Sequence, residues 1–473
     1  MNHQGSFIQK PKEACGIFGI FSKRPIEIPS LIYYGLFSLQ HRGQEGTGIT
    51  VSNFKTVDQY KNVGSVGEIF NRDVINDLNK IKPCLGIGHV RYSTAGAKGV
   101  ENVQPLLTDT RIGPIAVAHN GNLINADLIR DQLERRGSNF YTSVDSEAII
   151  KLISKNLVEF DLINAVKKTI LTIKGAFSLL IMTKDKLIGV RDPYGIRPLC
   201  LGRLKTGAYV LSSESCALDV IGATFIKDLN KGEMVVITKS GIKSINYSKN
   251  EPQHTCIFEY VYFARPDSTI DGINCYLSRI RQGELLYKEH HLKADMVICA
   301  PDSGVHAATG YAQASGIPYG VGLIKNRYVA RTFIKPTQEL REHSVYIKLN
   351  PLRVNIANKD IILIDDSVVR GTTSHYLVKS LKQAGAKKVY LLLASPVIQY
   401  PCFLGIDTPN RNHLLANKYS FKKMQQFIGC DYLGFLSLDN LIQTCGGQNK
   451  FCTGCFNGKY PVCPSKIKKT RFA

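Results

Sequence analysis

Long apolar stretches are missing from this sequence of 473 residues: none approaches the roughly 20 residues that a membrane-spanning helix requires. The first residues do not combine a basic segment with an apolar one, as a secretion signal would. Internal repeats, low-complexity tracts and flexible linkers are missing as well. A membrane-spanning, fibrous or disordered protein is therefore excluded, and we expect a cytoplasmic chain of two or three domains, at roughly 150 residues each.

Acidic residues are scarce beside basic ones: 38 Asp and Glu stand against 60 Lys and Arg, which gives a formal net charge of +22 at pH 7. Such an excess favours anionic partners, either nucleic acid or phosphorylated metabolites, and does not choose between them. A lysine bias shared by all proteins of the organism would produce the same excess. The sequence has neither a helix-turn-helix pattern nor a basic stripe with interleaved aromatic residues, so we expect no nucleic-acid partner.

The 13 cysteines are scattered along the chain and odd in number, unlike the dense disulfide framework of a small secreted domain. In a reducing compartment most of them should be unpaired and buried. One pair, Cys452 and Cys455, has the C-x₂-C spacing that indicates metal binding or redox chemistry.

The residue pattern changes near the middle of the chain. The first half consists of short β-branched or apolar segments punctuated by Gly and Asn, with helical periodicity at 127–136 and 146–157. Farther on, apolar strands of four or five residues alternate with helical segments, which is typical of a parallel α/β sheet. We therefore predict a sheet-rich α+β domain over 15–246, a seam over 247–276, an α/β domain over 277–445 and a cysteine-bearing tail over 446–473.

Polar clusters stand at the ends of several apolar segments of the first half, where functional sites form. Cys15 begins one such segment, and the clusters are QHRGQEG at 40–46, HVRYSTAG at 89–96 and HNGNL at 119–123. Together these motifs resemble the N-terminal-nucleophile glutamine amidotransferase domain. The resemblance implies an αββα sandwich and removal of a pro-segment, residues 1–14, which would leave a free α-amino group on Cys15.

The resemblance makes Cys15 the nucleophile of glutamine hydrolysis. An α-amino group titrates near pH 8, about where a useful fraction is neutral and can accept the thiol proton. The resemblance assigns stabilisation of the oxyanion to the side-chain amide of Asn120 and the backbone N–H of Gly121. Asn-Gly is also the strongest short-range signal for a hairpin turn, which is the alternative for this pair.

Glutamine is a zwitterion at its far end, so a specific pocket needs one cation and one anion. The resemblance assigns the carboxylate of glutamine to Arg91 and its ammonium group to Asp145, with Thr94 nearby; the fork of an arginine bonds both carboxylate oxygens. The alternatives are a surface arginine and a negative charge at the start of a helix.

The most specific stretch of the chain is IILIDDSVVRGTTS at 361–374: a buried strand, two acidic residues and a small-residue loop that opens a helix. Carboxylates at the end of a strand can hold ribose hydroxyls and Mg²⁺, and a helix N-terminus accepts phosphate. The stretch resembles the signature of phosphoribosyltransferases that use phosphoribosyl pyrophosphate (PRPP), and implies a type I phosphoribosyltransferase domain. A chance acidic turn is the alternative. The resemblance assigns PRPP binding to Asp365, Asp366, Arg370, Gly371, Thr372, Thr373, Ser374 and Lys325.

Two other segments resemble parts of such an enzyme. Residues 300–304 follow a predicted strand where the family has its pyrophosphate loop, and Ser303 would join Asp365 and Asp366 as ligands of one Mg²⁺ per subunit. Residues 322–333 carry three basic side chains and resemble the loop that closes over PRPP; a basic surface loop is the alternative.

The C-x₂-C pair needs two more ligands to form a four-thiolate site, and the resemblance supplies Cys256 and Cys402. In one branch of the family such cysteines hold a [4Fe–4S] cluster, and another branch lacks it; the resemblance favours the cluster, which would fasten the tail across the seam. Because neither half-reaction changes oxidation state, we expect the cluster to transfer no electrons. Four cysteines suit zinc equally, and Cys445 or Cys463 remains an alternative ligand. The other cysteines are predicted to be structural: Cys84, Cys200, Cys216, Cys275, Cys299 and Cys430.

Both signatures together resemble the glutamine PRPP amidotransferase family over nearly all of 15–461. The resemblance implies that ammonia from glutamine displaces pyrophosphate from PRPP to give 5-phosphoribosylamine, the first committed step of purine biosynthesis. It further implies a homotetramer inhibited by purine nucleotides. Two alternatives are a glutamine-dependent sugar-phosphate aminotransferase, against which 364–374 argues, and a nucleic-acid-binding regulator, which would need no nucleophile domain.

Overall fold

The computed structural model describes residues 15–92, 99–326, 349–406, 408 and 411–462. The predicted pro-segment 1–14, Thr94 and Cys463 lie outside these residues, as does most of the predicted PRPP-closing loop. Within the described part of the chain, no helix is both long enough and apolar enough to cross a membrane.

Two antiparallel sheets form the first domain. In the described residues their orders are β11-β9-β10-β1-β4-β2-β3 and β13-β12-β8-β7-β6-β5. The strands are β1 (Gly16–Phe21), β2 (Gly46–Ser52), β3 (Val57–Asn62), β4 (Leu85–Arg91), β5 (Leu106–Thr110), β6 (Gly113–Leu123), β7 (Gly175–Met182), β8 (Leu187–Arg191), β9 (Cys200–Arg203), β10 (Tyr209–Ser212), β11 (Thr224–Asp228), β12 (Glu233–Thr238) and β13 (Gly241–Asn246).

Helices cover the outer faces of both sheets. They are α1 (Ile28–Ser38), α2 (Val66–Ile69), α3 (Arg72–Asn79), α4 (Ala126–Glu134), α5 (Asp145–Asn156), α6 (Leu162–Thr172) and α7 (Cys216–Val220). Helix α1 packs on the first sheet through Ile32 and Leu36, and α5 packs on the second through Ile149 and Ile153. A separate apolar core lies between the sheets, so the predicted αββα sandwich is confirmed.

Short elements follow the sandwich: β14 (Thr255–Cys256), a π-helical turn (Glu259–Phe263), β15 (Thr269–Ile270) and β16 (Ile273–Asn274). The turn is buried and leads into the first long helix of the second half.

A parallel sheet forms the centre of the second half, as the alternation of strands and helices predicts. The described order is β17-β20-β21-β22, and a separate hairpin pairs β18 with β19. The strands are β17 (Met296–Cys299), β18 (Leu323–Lys325), β19 (Leu349–Pro351), β20 (Asp360–Asp365), β21 (Lys388–Leu393) and β22 (Tyr432–Phe435). The helices are α8 (Cys275–Glu289), α9 (Val305–Ser315), α10 (Arg353–Ile356), α11 (Thr372–Gln383), α12 (Leu415–Lys418), α13 (Phe421–Ile428) and α14 (Leu438–Thr444).

The tail adds β23 (Phe451–Cys452) and α15 (Gly454–Asn457). Strand β23 pairs in parallel with β14, almost 200 residues earlier in the chain. The C-terminal tail therefore packs against the segment that joins the two halves.

Candidate active sites

The thiol of Cys15 is buried at the start of β1, and its Sγ lies 3.7 Å from the carbonyl oxygen of Tyr92. Burial raises the pKa of this thiol; the Tyr92 contact and the charge of Arg91 lower it in part, and Asp145 raises it again. The fold thus brings three sequence-predicted residues, Cys15, Arg91 and Asp145, within electrostatic reach of one another. A thiol whose pKa is raised needs a base before it can act as a nucleophile.

Asp145 is held in its charged form at the start of α5. Its carboxylate accepts a hydrogen bond from the backbone N–H of Leu123 at 2.9 Å and lies 3.4 Å from Nδ1 of His119. Burial opposes ionisation of Asp145, but His119 and the hydrogen bonds from Leu123 and Ser146 bring its pKa below the usual value. The position also suits a charge at a helix N-terminus, so the geometry fits both interpretations of Asp145.

Asn120 and Gly121 lie inside β6, where they pair with Ser178 and Phe177 of β7, so the Asn-Gly pair is not a hairpin turn. Asn120 is fully buried, and neither its Nδ2 nor its Oδ1 has a hydrogen-bond partner within the described residues. A buried polar group without a partner costs about 1–3 kcal/mol, so an unpartnered amide needs a reason. A ligand that completes its hydrogen bonds supplies one.

Gly121 has a φ of 150°, a backbone conformation that residues with a side chain rarely adopt. A Cβ at this position would lie 2.0 Å from the carbonyl oxygen of Ala176. The close pairing with β7 therefore requires glycine here.

Two buried histidines connect the sheets beneath this site, and the sequence analysis did not single them out. Nε2 of His89 on β4 lies 3.1 Å from the carbonyl oxygen of His119 on β6. Nδ1 of His119 lies 3.1 Å from Oγ of Ser146, beside Asp145. Burial lowers the pKa of His89 to about 3, so this histidine is neutral. Its position within a polar cluster at a strand end was the available signal.

Asp365 and Asp366 stand at the carboxyl end of β20, and both are buried. Oδ1 of Asp365 accepts hydrogen bonds from the backbone N–H of Asp366 at 2.9 Å and from Oγ of Ser303 at 3.3 Å. Two of the three predicted Mg²⁺ ligands, Ser303 and Asp365, are therefore in contact after two adjacent parallel strands, and Asp366 is the next residue of the chain. This edge of an open α/β sheet is where ligands bind.

The predicted phosphate loop leads into α11, with Arg370 and Gly371 before the helix and Thr372, Thr373 and Ser374 in its first turn. Gly371 has a φ of 77° and packs against the side chain of Leu415, which leaves no room for a Cβ. The first N–H groups of a helix have no partner within the helix and attract anions.

Lys325 ends β18 and forms an ion pair with Asp302 of the predicted pyrophosphate loop. The structure thus brings together two segments that the sequence places more than twenty residues apart. Of the predicted PRPP-closing loop, 327–333 lie outside the described residues.

Four cysteines meet where the seam, the tail and a loop of the second half come together. The pairing of β14 with β23 places Cys256 opposite Cys452, and the carbonyl oxygen of Cys455 accepts hydrogen bonds from the backbone of residues 399 and 400. Burial raises the pKa of the Cys256 thiol to about 12, and Cys402 adds to the rise. Burial, followed by the charges of Cys256, Cys402 and Cys452, also raises the pKa of the Cys455 thiol well above its usual value.

Cys445 is not part of this group: its Sγ lies 3.4 Å from Oγ of Ser278 and 3.7 Å from Oγ1 of Thr444. Within the described residues, no three His, Cys, Asp or Glu side chains are arranged to hold one metal ion. The cysteines predicted to be structural are buried and form no disulfides: Cys84, Cys200, Cys216, Cys275, Cys299 and Cys430.

Comparisons with known proteins cover almost the whole chain. A family described as a glutamine amidotransferase domain matches residues 89–220. The amidophosphoribosyltransferase of Methanocaldococcus jannaschii is 47% identical over 464 residues, which cover 95% of this chain and 98% of that protein. The enzyme of the same name from Bacillus subtilis is 46% identical over 459 residues, which cover 95% and 94%.

Solved structures give the same result. The glutamine PRPP amidotransferase of B. subtilis, complexed with ADP and GMP, superposes with a TM-score of 0.89 at 45% identity, over 96% of this chain and 98% of that one. A structure described as the allosteric regulatory enzyme of purine biosynthesis superposes with a TM-score of 0.90 at 46% identity, over 96% and 97%. By both sequence and fold, this chain belongs to the amidophosphoribosyltransferase family.

Proposed function

We propose that Cys15 hydrolyses glutamine and that the site around Asp365 and Asp366 joins the ammonia to PRPP, with 5-phosphoribosylamine, glutamate and pyrophosphate as products. Membership of the family means glutamine-dependent transfer of ammonia to PRPP in purine biosynthesis. The assignment to residues depends most on one observation: the amide of Asn120 is fully buried and has no hydrogen-bond partner among the residues that the structure describes. His119 and Leu123 both contact the carboxylate of Asp145, whose charge affects the pKa of Cys15. Asn120 and Gly121 lie between these two contact residues in the chain.

The glutaminase chemistry follows from these positions. After removal of 1–14, the α-amino group of Cys15 takes the thiol proton, and the thiolate attacks the amide carbon of glutamine. Asn120 and Gly121 donate hydrogen bonds to the oxyanion, which supplies the missing partner of the Asn120 amide. Ammonia leaves, and water hydrolyses the glutamyl thioester.

Recognition of glutamine is assigned to two charged side chains near Cys15, the buried Arg91 and the partly buried Asp145. Arg91 binds the carboxylate, and Asp145 binds the ammonium group with an already ionised side chain. The proposal assigns Thr94, which lies outside the described residues, to the same glutamine pocket.

The second site fits the hard, oxygen-preferring Mg²⁺ that the family commonly binds. The hydroxyl of Ser303 and the carboxylates of Asp365 and Asp366 are all oxygen donors, and Mg²⁺ typically takes one or two carboxylates together with substrate phosphates. When bound, Mg²⁺ supplies charge neutralisation for the departing pyrophosphate. The first turn of α11 binds the phosphate of the ribose, and Lys325 faces the pyrophosphate.

The four-cysteine group fits a [4Fe–4S] cluster with Cys256, Cys402, Cys452 and Cys455 as ligands. Deprotonated thiolates are the ligands of such clusters, and a bound cation would favour ionisation of Cys256, Cys452 and Cys455, whose pKa values burial raises. The cluster would fasten the tail to the seam.

The proposal extends to regulation and assembly. We expect inhibition by purine nucleotides, in line with the ADP and GMP bound to the B. subtilis protein, and a cytoplasmic homotetramer. The net charge of +22 suits the anionic substrate and inhibitors.

Replacement of the nucleophile tests the division of labour between the two sites. Cys15→Ser is expected to lower glutamine-dependent synthesis of phosphoribosylamine by about 10³-fold or more, because the weaker nucleophile cannot be activated as a thiolate. Synthesis from ammonia should stay within twofold of the parent enzyme, since it bypasses Cys15. Cys84→Ser, in a buried cysteine of the same domain, is the control and should retain both activities. Full glutamine-dependent activity of Cys15→Ser would refute the proposal.

A further inference from the structure

The loop that carries Cys402 touches the glutaminase strand β6 where its oxyanion residues lie. Nδ2 of Asn122 donates a hydrogen bond to the carbonyl oxygen of Phe403 at 2.8 Å. The contact joins residues 281 positions apart in the chain. A Cβ added to Gly405 would lie 3.0 Å from the carbonyl carbon of Gly121 and 3.1 Å from its Cα, so the two glycine backbones pack directly on each other.

We propose that this turn, residues 402–405 of the second half, positions the oxyanion hole of the first, with Asn122 and Arg197 as the positioning residues. Neither side chain is assigned a role in the chemistry itself. The inference rests on the proposed function, in which Asn120 and Gly121 donate to the oxyanion.

The end of β6 needs such a support because it has a strand on one side only. Among the described strands, β5 pairs with β6 from Gly113 to Val117 and no farther, whereas β7 follows β6 to Leu123. Gly121 has no side chain and a φ of 150°, so its backbone can rotate more freely than that of other residues. A fixed hydrogen bond on the next residue limits the rotation of the peptide that carries the oxyanion donor.

The turn can serve as a fixed support because it is held by a buried charge. Nη2 and Nε of Arg197 donate to the carbonyl oxygen of Leu404 at 2.7 Å and 3.2 Å. Arg197 is fully buried, and its Nη1 lies 3.2 Å from Oε1 of Glu259, which also pairs with Arg42. Charged donors in buried networks have well-defined geometry.

Cys402 stabilises the turn from within. Its Sγ accepts a hydrogen bond from the backbone N–H of Leu404 at 3.3 Å, so the thiol that is proposed to ligate the cluster holds the same residue whose carbonyl oxygen Arg197 binds. The four-cysteine group is thereby connected to Gly121 through three consecutive residues. Correct docking of the second half becomes a condition for hydrolysis of glutamine in the first.

The test compares two asparagines at the C-terminal end of β6 in the full-length enzyme. Asn122→Ala removes the hydrogen bond to Phe403. Asn125→Ala removes hydrogen bonds to the carbonyl oxygen of Thr172 and from the backbone N–H of Lys174, and touches no residue of the turn. Asn120→Ala, which removes the proposed donor itself, is the reference. Each variant is assayed for kcat and KM with glutamine and for synthesis from ammonia.

We expect Asn122→Ala to lower the glutamine-dependent kcat about tenfold or more, less than the loss of a direct oxyanion donor, with the KM for glutamine within twofold. Synthesis from ammonia should be unchanged, and Asn125→Ala should match the parent enzyme in every measurement. Gly405→Ala should reproduce the fall in kcat, because its Cβ would displace the backbone of Gly121. If that variant does not fold, Asn122→Ala alone decides.

An unchanged kcat for Asn122→Ala, or an equal loss of ammonia-dependent synthesis, would overturn the inference. If Asn120→Ala falls while Asn122→Ala does not, the inference fails and the proposed function stands. If Asn120→Ala keeps its kcat, the oxyanion assignment itself fails.

Discussion

At the scale of single residues, the site is distinguished by the amide of Asn120, which is fully buried and has no hydrogen-bond partner in the described part of the chain. The carboxylate of Asp145, by contrast, is ionised and held by Leu123, Ser146 and His119. The residue types were predictable from the polar clusters at the strand ends. Burial and missing partners were not, because they depend on the packing of β6 against β7 and on its contacts with the other sheet.

Asp145 and Asp127 separate the two interpretations of an acidic residue at a helix start. Both lie in the first turn of a helix, but only Asp145 is held near Cys15. Asp145→Asn should raise the KM for glutamine about 100-fold, because the substrate loses the binding energy of one charge-assisted hydrogen bond. Asp127→Asn should leave the KM unchanged. Steady-state kinetics at saturating PRPP measure both. Equal and small effects would mean that Asp145 serves only the helix.

At the scale of elements, the periodicity of apolar residues predicted the amphipathic helices and missed a helix that is apolar on most sides. Helices α4 and α5 agree with the predicted 127–136 and 146–157 within a few residues, and the strand at 360–365 and its following helix are also as expected. Helix α1, IPSLIYYGLFS, was not predicted, because it packs against β1, β4 and α7 and is apolar on most sides. Pairing of β14 with β23 spans residues 255–452 and leaves no local signal in the sequence.

Cys402 and Cys445 are the matched pair that tests how the tail is held. Cys402→Ser should lose iron, of which the intact enzyme is expected to hold about four per chain, because one ligand of the proposed cluster is gone. The tail 446–462 should then be cleaved by a protease at concentrations that leave the parent chain intact. Cys445→Ser should keep its iron and its protection, since that thiol contacts Ser278 and Thr444 instead. If Cys445→Ser loses iron and Cys402→Ser does not, Cys445 and not Cys402 is the cluster ligand.

At the scale of the whole molecule, the first domain is connected to the seam by buried charges that no local pattern predicts. Arg42 pairs with Glu214 and Glu259, and Glu259 pairs in turn with Arg197. These contacts join residues up to 217 positions apart, so each side chain looks unremarkable in the sequence. The predicted domain boundaries stay predictions, because the seam packs against both halves.

Loss of the central carboxylate should weaken the whole fold. Glu259→Ala leaves two buried arginines without their shared partner, and removal of one member of a buried ion pair costs about 3–5 kcal/mol. Thermal unfolding should show a clearly lower midpoint. Asp267→Ala breaks an exposed pair with Arg265 and should change stability by about 1 kcal/mol or less. Similar midpoints for the two variants would contradict a structural role for the buried network.

The most direct measurement for the account is to label the native enzyme with a glutamine analogue that carries an electrophile and to locate the label by peptide mass spectrometry. We predict one label per chain, on Cys15, in a peptide whose first residue is Cys15, because the same residue must supply both thiol and amine. Excess glutamine should protect it. A label on another residue, or a labelled peptide that still carries residues 1–14, would contradict the proposed mechanism.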